Sequence, residues 1–372
     1  MKAKLFFITF ILTFTLGITY GQDKVIMPAG NDHTSNYPSK AIQSIPTIIW
    51  KYPLPSKAIG LTVSNDCIFT GCYDYNKENE TEKGYQFALD KKTGNPVWIK
   101  EINEQLSSPI LYKGVVFYGS KKNKVIALRS DNGNLLWSYH DLIGSVCPPP
   151  VIVNNKVFFG THGKEWCVLE RQTGQVISKS YIDNGICCYP SYDQDKIYFV
   201  DWSGNLHAFT IENLKDSILY KSNKGAHIAP TLYQGHGYFF NDAGILHAIN
   251  IESGKLIWTF QADGQIWGTP SINNDICLFV SDKSHLYALD IKTGELIWDI
   301  IKPGSIYTTP AIVQNIVYVT MADNHLYALD QKDGKEIWKI KMEEALGGSI
   351  WIDNEVIYLT SGNNIVALAE KK

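Results

Sequence analysis

The 372-residue sequence lacks the motifs that usually mark a catalytic, metal-binding or phosphate-binding site. It contains no Cys-x-x-Cys pair, no His-Glu-x-x-His, no Gly-x-Ser-x-Gly and no phosphate loop. Its nine histidines show no metal-ligand spacing. A formal net charge of −3 provides no basic footprint for nucleic acid. We therefore predict no catalytic residue, no metal site and no nucleic-acid partner.

Long hydrophobic runs are also missing, apart from residues 5–18, which follow a basic start. This run is too short to cross a bilayer and precedes Thr19-Tyr20-Gly21, which resembles a cleavage site. We expect a signal peptide over residues 1–21, cleavage near Gly21, and a periplasmic or secreted protein. No cysteine follows the run, so we expect no lipid anchor, and we expect no transmembrane segment elsewhere.

Helical periodicity is absent, and short β-branched and aromatic runs alternate instead with turn residues. In the unit from Ala288 to Trp298, a strand ends at Asp290 and Thr293-Gly294 form a turn in which glycine tolerates positive φ. An apolar strand then leads to Trp298. Matching units end at Trp98, Trp137, Trp258, Trp298 and Trp338, and degenerate units end at Ser178 and Tyr220.

The spacing of these units indicates the fold class. Subtracting successive end positions 98, 137, 178, 220, 258, 298 and 338 gives steps of 39, 41, 42, 38, 40 and 40 residues. A period of about 40 with several short strands per unit is typical of a β-propeller blade. The strand around Trp50 stands alone, and the chain ends after three strands of a last blade. We therefore predict an all-β, eight-bladed β-propeller of four-stranded antiparallel blades, closed by the N-terminal strand.

The chain thus divides into a signal peptide (1–21), a polar N-terminal arm (22–46) and a propeller (47–372). The arm is punctuated by prolines and predicts an extended segment against the propeller rim. Residues 73–84 form a charged insertion in the first blade. They are either a solvated loop or a finger that contacts a partner.

The repeat pattern Ala-x-Asp-x-x-Thr-Gly-x-x-x-Trp is complete at residues 88–98 and 288–298. It resembles the tryptophan-docking motif of PQQ-like propeller repeats, and the resemblance covers about residues 47–372. The resemblance implies that each tryptophan packs between neighbouring blades and has a structural role. These residues are Trp50, Trp98, Trp137, Trp258, Trp298 and Trp338. We interpret the Asp of the repeat as a turn former, because it recurs with the turn.

One position per blade is expected to line the mouth of the central channel. It lies three residues before the proline that precedes the innermost strand of a blade. The turns after the second strands lie on the same face of the propeller, which we call the mouth face. The resulting ring is Lys57, Leu106, Cys147, Cys187, His227, Trp267, Tyr307 and Leu346. Its polar-aromatic half is either channel-mouth packing or a recognition patch. Cys188, next to Cys187 of this ring, is also a candidate binding residue, and nearby turns add His162, Asp201, Trp202 and Asp242.

The seven cysteines are an odd number, so at least one is unpaired within the chain. A bridge from Cys187 to Cys147 or to Cys188 is a hypothesis. The Cys187-Cys188 pair resembles the vicinal disulfide of quinoprotein alcohol dehydrogenases. Those enzymes also carry a calcium-ligating carboxylate set, a Trp beneath the cofactor and an Asp base, which we cannot place here. We therefore expect no cofactor, with PQQ and calcium as the alternative.

The chain is also similar to BamB-type outer-membrane assembly factors in its expected export, eight blades, repeat type and lack of a catalytic set. This resemblance implies a non-enzymatic scaffold that binds a protein partner in the cell envelope through its mouth-face loops. We expect a monomer. One alternative is a small PQQ-dependent quinoprotein dehydrogenase or its relic, and another is a carbohydrate- or peptide-binding propeller. The fold alone does not select among them.

Overall fold

The computed structural model describes residues 40–371, except residues 77, 79, 187, 274 and 303–307. The predicted signal peptide and residues 22–39 of the arm therefore lie outside the described residues. Within the part of the chain that the structure describes, no helix is long and apolar enough to cross a membrane.

The described residues form 32 strands in eight four-stranded antiparallel sheets, so the predicted eight-bladed propeller is confirmed. Seven blades each use four consecutive strands. Blade 1 contains β2–β5 (Ala58–Val63, Cys67–Asn76, Thr81–Asp90, Pro96–Glu101). Blade 2 contains β6–β9 (Ile110–Tyr112, Val115–Ser120, Lys124–Arg129, Leu135–Tyr139). Blade 3 contains β10–β13 (Val151–Val153, Lys156–Gly160, Glu165–Glu170, Val176–Tyr181).

The next four blades continue this order around the ring. Blade 4 contains β14–β17 (Ser191–Asp193, Lys196–Val200, Asn205–Thr210, Lys215–Lys221). Blade 5 contains β18–β21 (Thr231–Tyr233, His236–Phe240, Ile245–Asn250, Leu256–Gln261). Blade 6 contains β22–β25 (Ser271–Asn273, Ile276–Val280, His285–Asp290, Leu296–Ile301). Blade 7 contains β26–β29 (Ala311–Val313, Ile316–Thr320, His325–Asp330, Glu336–Lys341).

Blade 8 is composite, as predicted. It contains β30–β32 (Leu346–Asp353, Val356–Ser361, Asn364–Ala369) and, as its outermost strand, β1 (Thr47–Pro53). Trp50 of β1 pairs with Ala367 of β32, so the first and last strands of the propeller close the ring through main-chain hydrogen bonds. Closure in this way covers the edge of β32 with a paired strand.

Burial explains why the strands differ in pattern. The second and third strands of a blade are packed on both faces by the neighbouring blades, so β23 and the central residues of β24 are buried without interruption. The outer strands have exposed positions among less exposed ones, as in β25. Continuous apolar runs in the sequence are therefore the second and third strands of a blade. The mixed runs that contain a docking Trp are the outermost strands.

Five of the six docking tryptophans bond to the next blade. The indole Nε1 donates to a main-chain carbonyl oxygen in the Thr-Gly turn region of that blade, at 2.8 to 3.1 Å. The pairs are Trp50–Lys91, Trp98–Ser130, Trp137–Arg171, Trp258–Ile291 and Trp298–Gln331. The turn glycine permits this contact: at Gly294, with φ +74°, a Cβ atom would lie 2.6 Å from the Trp258 ring.

The Asp of the repeat supports this same turn. The carboxylate Oδ1 of Asp290 accepts hydrogen bonds from the main-chain N–H groups of Lys292 (2.9 Å) and Thr293 (2.9 Å). The Thr293 hydroxyl donates to the same oxygen at 3.2 Å. These bonds lower the pKa of Asp290, and they show the carboxylate acting as a turn former.

Candidate functional site at the channel mouth

In blades 3 to 6, two loops meet at the mouth face and are joined by the same hydrogen bond. The main-chain N–H of the turn after the second strand donates to a carbonyl oxygen in the loop before the inner strand. The pairs are His162–Ser145 (3.1 Å), Trp202–Gly185 (3.0 Å), Asp242–Gly225 (2.6 Å) and Asp282–Gln265 (2.9 Å). Because the pairs recur every 40 residues, side chains from these loops form a regular rim.

Four rim side chains from three neighbouring blades contact one another, and we call them the mouth cluster. The ring centroids of His162 and Trp202 are 5.3 Å apart, and those of Trp202 and His227 are 6.4 Å apart in an edge-on arrangement. The Nε2 atom of His227 lies 3.2 Å from Oδ2 of Asp242, and both side chains are about half exposed. An aromatic surface and a His–Asp pair therefore lie side by side at the mouth.

Two tryptophans on this rim are exposed to water, in contrast to the docking tryptophans. Trp202 is 41% exposed and Trp267 is 56% exposed. The 40-residue repeat places Trp267 beside Asp242 as it places His227 beside Trp202. An exposed indole offers a large apolar area together with one hydrogen-bond donor, which is typical of recognition surfaces.

The His162 end of the cluster is neutral. Burial, with a smaller contribution from Lys121, lowers the pKa of His162. Its Nδ1 lies 3.1 Å from the hydroxyl oxygen of Ser145, which is also 3.4 Å from Sγ of Cys147. Its Nε2 is buried and has no hydrogen-bond partner among the described residues. This end contributes packing and a polar contact rather than charge.

The remaining predicted ring residues have different environments. Lys57 is exposed at the start of β2, beside Gly347 of β30. Cys147 is a half-buried free cysteine. Cys188 is buried, with its Sγ 3.3 Å from both the N and the O atom of Val200, so it belongs to the blade packing. Cys187 and Tyr307 lie outside the described residues, so the two bridge hypotheses for Cys187 stay predictions.

Sequence reasoning missed the side chains that hold the Trp202 turn in place. Asp201, which is buried, accepts hydrogen bonds at 2.9 Å from the main-chain N–H groups of Ser203 and Asn205. Its Oδ2 lies 3.3 Å from Nε2 of His207, whose Nδ1 lies 2.7 Å from Asp216. The sequence signal was the Asp directly before Trp202, but its partner His207 lies six residues on, within the buried strand β16.

His207 is held as a buried cation. Burial by itself would lower the pKa of His207, but the hydrogen bonds to Asp201 and Asp216 outweigh it and raise the pKa to about 9. The corresponding histidine of blade 5, His247, faces Asn241 at 3.1 Å in place of an Asp. Burial therefore lowers the pKa of His247 to about 4, and its ring is neutral at neutral pH.

Below the rim, side-chain hydroxyl groups form hydrogen bonds between the innermost strands of neighbouring blades. The side chains of Thr62, Thr231 and Ser271 donate to the carbonyl oxygens of the inner-strand prolines of the next blade at 2.6, 2.9 and 2.5 Å. The hydroxyls of Ser108 and Tyr189, from blades 2 and 4, lie 3.4 Å apart. These contacts span blade boundaries and fix the mouth geometry from beneath.

The PQQ interpretation requires carboxylates arranged around a calcium ion. Among residues 40–371, outside the gaps given above, no group of three His, Cys, Asp or Glu side chains could hold a metal ion. In the mouth cluster the single carboxylate, Asp242, is paired with His227. The described residues therefore do not provide the calcium-ligating set, and we derive no chemistry through this cofactor.

Comparison with known proteins identifies the family. A family profile described as outer membrane protein assembly factor BamB matches residues 46–213, 219–305 and 242–372. The chain belongs to this family. It is 28% identical to BamB of Yersinia pestis over 124 residues, which are 33% of this chain and 31% of that protein. It is 24% identical to BamB of Legionella pneumophila over 132 residues, which are 35% of this chain and 34% of that protein.

A quinoprotein also matches a shorter segment. The chain is 31% identical to the quinoprotein alcohol dehydrogenase PedH of Pseudomonas putida over 97 residues, which are 22% of this chain and 16% of that enzyme. The matched segments thus span about a third of the length of these BamB relatives and less of the quinoprotein. BamB relatives and a quinoprotein both share sequence with the chain, as expected for one repeat type.

Solved structures show the same fold. BamB from Moraxella catarrhalis superposes with a TM-score of 0.71 at 17% identity, over 88% of this chain and 98% of that chain. A europium-containing methanol dehydrogenase superposes with a TM-score of 0.74 at 12% identity, over 94% of this chain and 98% of that chain. At these identities the likeness concerns the fold alone.

Proposed function

We propose that this protein is an exported, non-enzymatic propeller scaffold that binds a protein partner in the cell envelope and takes part in outer-membrane assembly. Membership of the BamB family supports this proposal at the level of the whole chain. We further propose that it acts without a cofactor and as a monomer. We assign partner binding to the mouth face, on the observations given next.

The observation that carries the assignment is the exposure of Trp202 and Trp267, together with the packing of Trp202 on His227, which pairs with Asp242. Burying such aromatic side chains against a partner contributes binding free energy, because each removes a large apolar area from water. The polar His227–Asp242 pair would orient the partner. By contrast, the docking tryptophans are occupied within the propeller and have no area to offer.

A crosslinked pull-down from native envelopes tests the proposal. The wild type is compared with a Trp202→Ala/His227→Ala/Trp267→Ala variant and with a control variant, Lys92→Ala/Lys292→Ala/Lys332→Ala, on the opposite face. An outer-membrane assembly component recovered by the wild type and the control, but lost by the mouth variant, supports the proposal. Recovery by none of the three contradicts it, and equal recovery by all three contradicts the mouth-face site.

A further inference from the structure

In the insertion of blade 1, residues 73–76 and 81–84 pair as the two strands of a β-hairpin on the mouth face. Strands β3 and β4 pair continuously from Cys67–Asp90 to Asn76–Thr81. The neighbouring strands stop earlier, because β2 pairs with β3 only as far as Cys72 and β5 pairs with β4 only as far as Tyr85. Four residues of β3, 73–76, thus extend past the blade by about 13 Å. We call this hairpin, residues 73–84, the finger.

One edge of the finger is covered by the rest of the chain. The main-chain N–H of Gly84 donates to Oδ1 of Asn103 at 3.3 Å, and the N–H of Ile102 donates to the Gly84 carbonyl oxygen at 2.8 Å. Glu82 forms an ion pair of 2.6 Å with Lys122 of blade 2. Glycine is required at position 84, since a Cβ atom would lie 2.2 Å from the Ile102 carbonyl oxygen.

The other edge of the finger is open. On the side of β2, the innermost strand, residues 73–76 have no strand partner among the described residues. Asp74, Tyr75 and Asn76 are exposed there, Tyr75 by 46%. An unpaired edge presents a row of N–H and C=O groups that can template another strand. Because β2 is the strand nearest the channel, this edge faces the mouth.

The position of the finger relates it to the mouth cluster. The turns after the second strands lie on the mouth face, and the finger is the elongated form of that turn in blade 1. In a closed ring of eight blades, blade 5 lies opposite blade 1, and blade 5 carries His227 and Asp242. A polypeptide lying across the mouth from this cluster therefore reaches the open edge of the finger.

We propose that the finger binds an extended, cationic segment of the partner as an additional β-strand along residues 73–76, an inference that rests on the proposed function. Main-chain hydrogen bonds would supply the pairing, as in other cases of β-strand addition. Residues 74–83 carry four carboxylates against two lysines, and Asp74, Glu78 and Glu80 are exposed. This excess of negative charge favours a basic segment and disfavours an acidic one.

Hydrogen–deuterium exchange with two blocked nonapeptides tests the inference on the purified protein. One probe alternates Lys and Val, and the other alternates Glu and Val. The Lys-Val peptide is expected to slow exchange of the amides in residues 73–76, and the Glu-Val peptide is expected to leave them unchanged. Equal effects of both peptides, or no slowing at these amides, would overturn the proposal.

Two variants separate main-chain pairing from charge. In the finger-shortened variant, Asn-Gly replaces residues 74–83 and joins the paired residues Tyr73 and Gly84 in a two-residue turn. This variant should have the melting temperature of the wild type and should no longer bind the Lys-Val peptide. The variant Asp74→Asn/Glu78→Gln/Glu80→Gln should bind that peptide about tenfold more weakly, yet still show slowed exchange at 73–76 when saturated. Wild-type affinity in the shortened variant would refute the inference.

The envelope pull-down distinguishes this inference from the function on which it rests. If the wild type recovers an assembly component and the finger-shortened variant loses it, with protection of residues 73–76 in the wild-type complex, both proposals are supported. If both proteins recover it equally, the finger inference is wrong and the scaffold function stands. If the wild type recovers nothing, the proposed function fails and the finger inference fails with it.

Discussion

The indole Nε1 of Trp338 donates a 3.0 Å hydrogen bond to the carbonyl oxygen of Ile42, which lies 296 residues earlier in the chain. The other five docking tryptophans bond to the turn before the outermost strand of the next blade. Blade 8 has no such turn, because its outermost strand is β1 and does not follow β32 in the chain. The arm supplies the missing acceptor.

Further contacts fix this substitute turn. Ile42 is fully buried, and its main-chain N–H donates to the hydroxyl of Tyr318 at 2.7 Å. A carboxylate oxygen of Glu370 accepts hydrogen bonds from the N–H groups of Gln43 (2.5 Å) and Ser44 (2.8 Å). The start and end of the propeller are therefore joined by the arm as well as by β1.

Substitution of Ile42 should weaken this closure. Ile42→Ala is expected to lower the free energy of unfolding by about 2 to 5 kcal/mol, because it leaves a cavity under Trp338, whereas Ile42→Val should cost about 1 kcal/mol. Urea denaturation monitored by Trp fluorescence measures both values. Unchanged stability of Ile42→Ala would show that the arm does not contribute to closure.

The turn glycines should be intolerant where they meet a docking tryptophan. Gly294 and Gly235 have similar φ angles, +74° and +77°, but a Cβ atom would clash with Trp258 only at Gly294 and would meet nothing within 4 Å at Gly235. Gly235→Ala should cost about 1 kcal/mol of backbone strain. Gly294→Ala should cost about 1 to 3 kcal/mol more. Equal losses in thermal denaturation would exclude the tryptophan contact as the cause.

Exchanging one side chain between blades 4 and 5 should exchange the protonation behaviour of their histidines. Asp201→Asn should lower the pKa of His207 from about 9, and Asn241→Asp should raise the pKa of His247 from about 4. Titration of the histidine ring resonances by NMR measures both pKa values. A pKa of His207 that stays near 9 in Asp201→Asn would mean that Asp216 alone holds the charge.

These two pKa values also predict how stability depends on pH. The pKa of His207 is higher in the folded state than its ordinary value of 6.5, so its stabilisation is present below pH 6.5 and is lost as the pH rises toward 9. The pKa of His247 is lower than 6.5, so its contribution is lost as the pH falls from 6.5 toward 4. Urea midpoints should thus decline on both sides, and Asp201→Asn should flatten the alkaline decline.

Addition of PQQ with calcium should leave the protein unchanged. The exposed Trp202 and Trp267 would report a cofactor bound at the mouth through quenching of their fluorescence, and a Trp202→Ala/Trp267→Ala variant provides the baseline. No saturable quenching is expected in the wild type. Saturable quenching that disappears in the variant would favour the quinoprotein alternative over the scaffold.

The candidate site was predictable only in outline. His227 and Trp267 were placed at the mouth because the repeat assigns each residue a position in its blade. The contacts of His162 with Trp202 and of Trp202 with His227 were not predictable, since they join separate loops and depend on rotamers and on the spacing of blades. Asp201 was assigned to a nearby turn, but its role in holding that turn through His207 required the folded structure.

The sequence by itself determined the blade number, the strand order and the composite last blade. These follow from local information, because most of the 40-residue units carry their own turn glycine, apolar strands and docking tryptophan. Only the tertiary structure decided that Ile42 replaces a turn, that His207 is charged and His247 neutral, and that one edge of the finger is covered while the other is open. Those properties depend on contacts between groups that are distant in sequence, or on the relative lengths of neighbouring strands. No local sequence pattern encodes them.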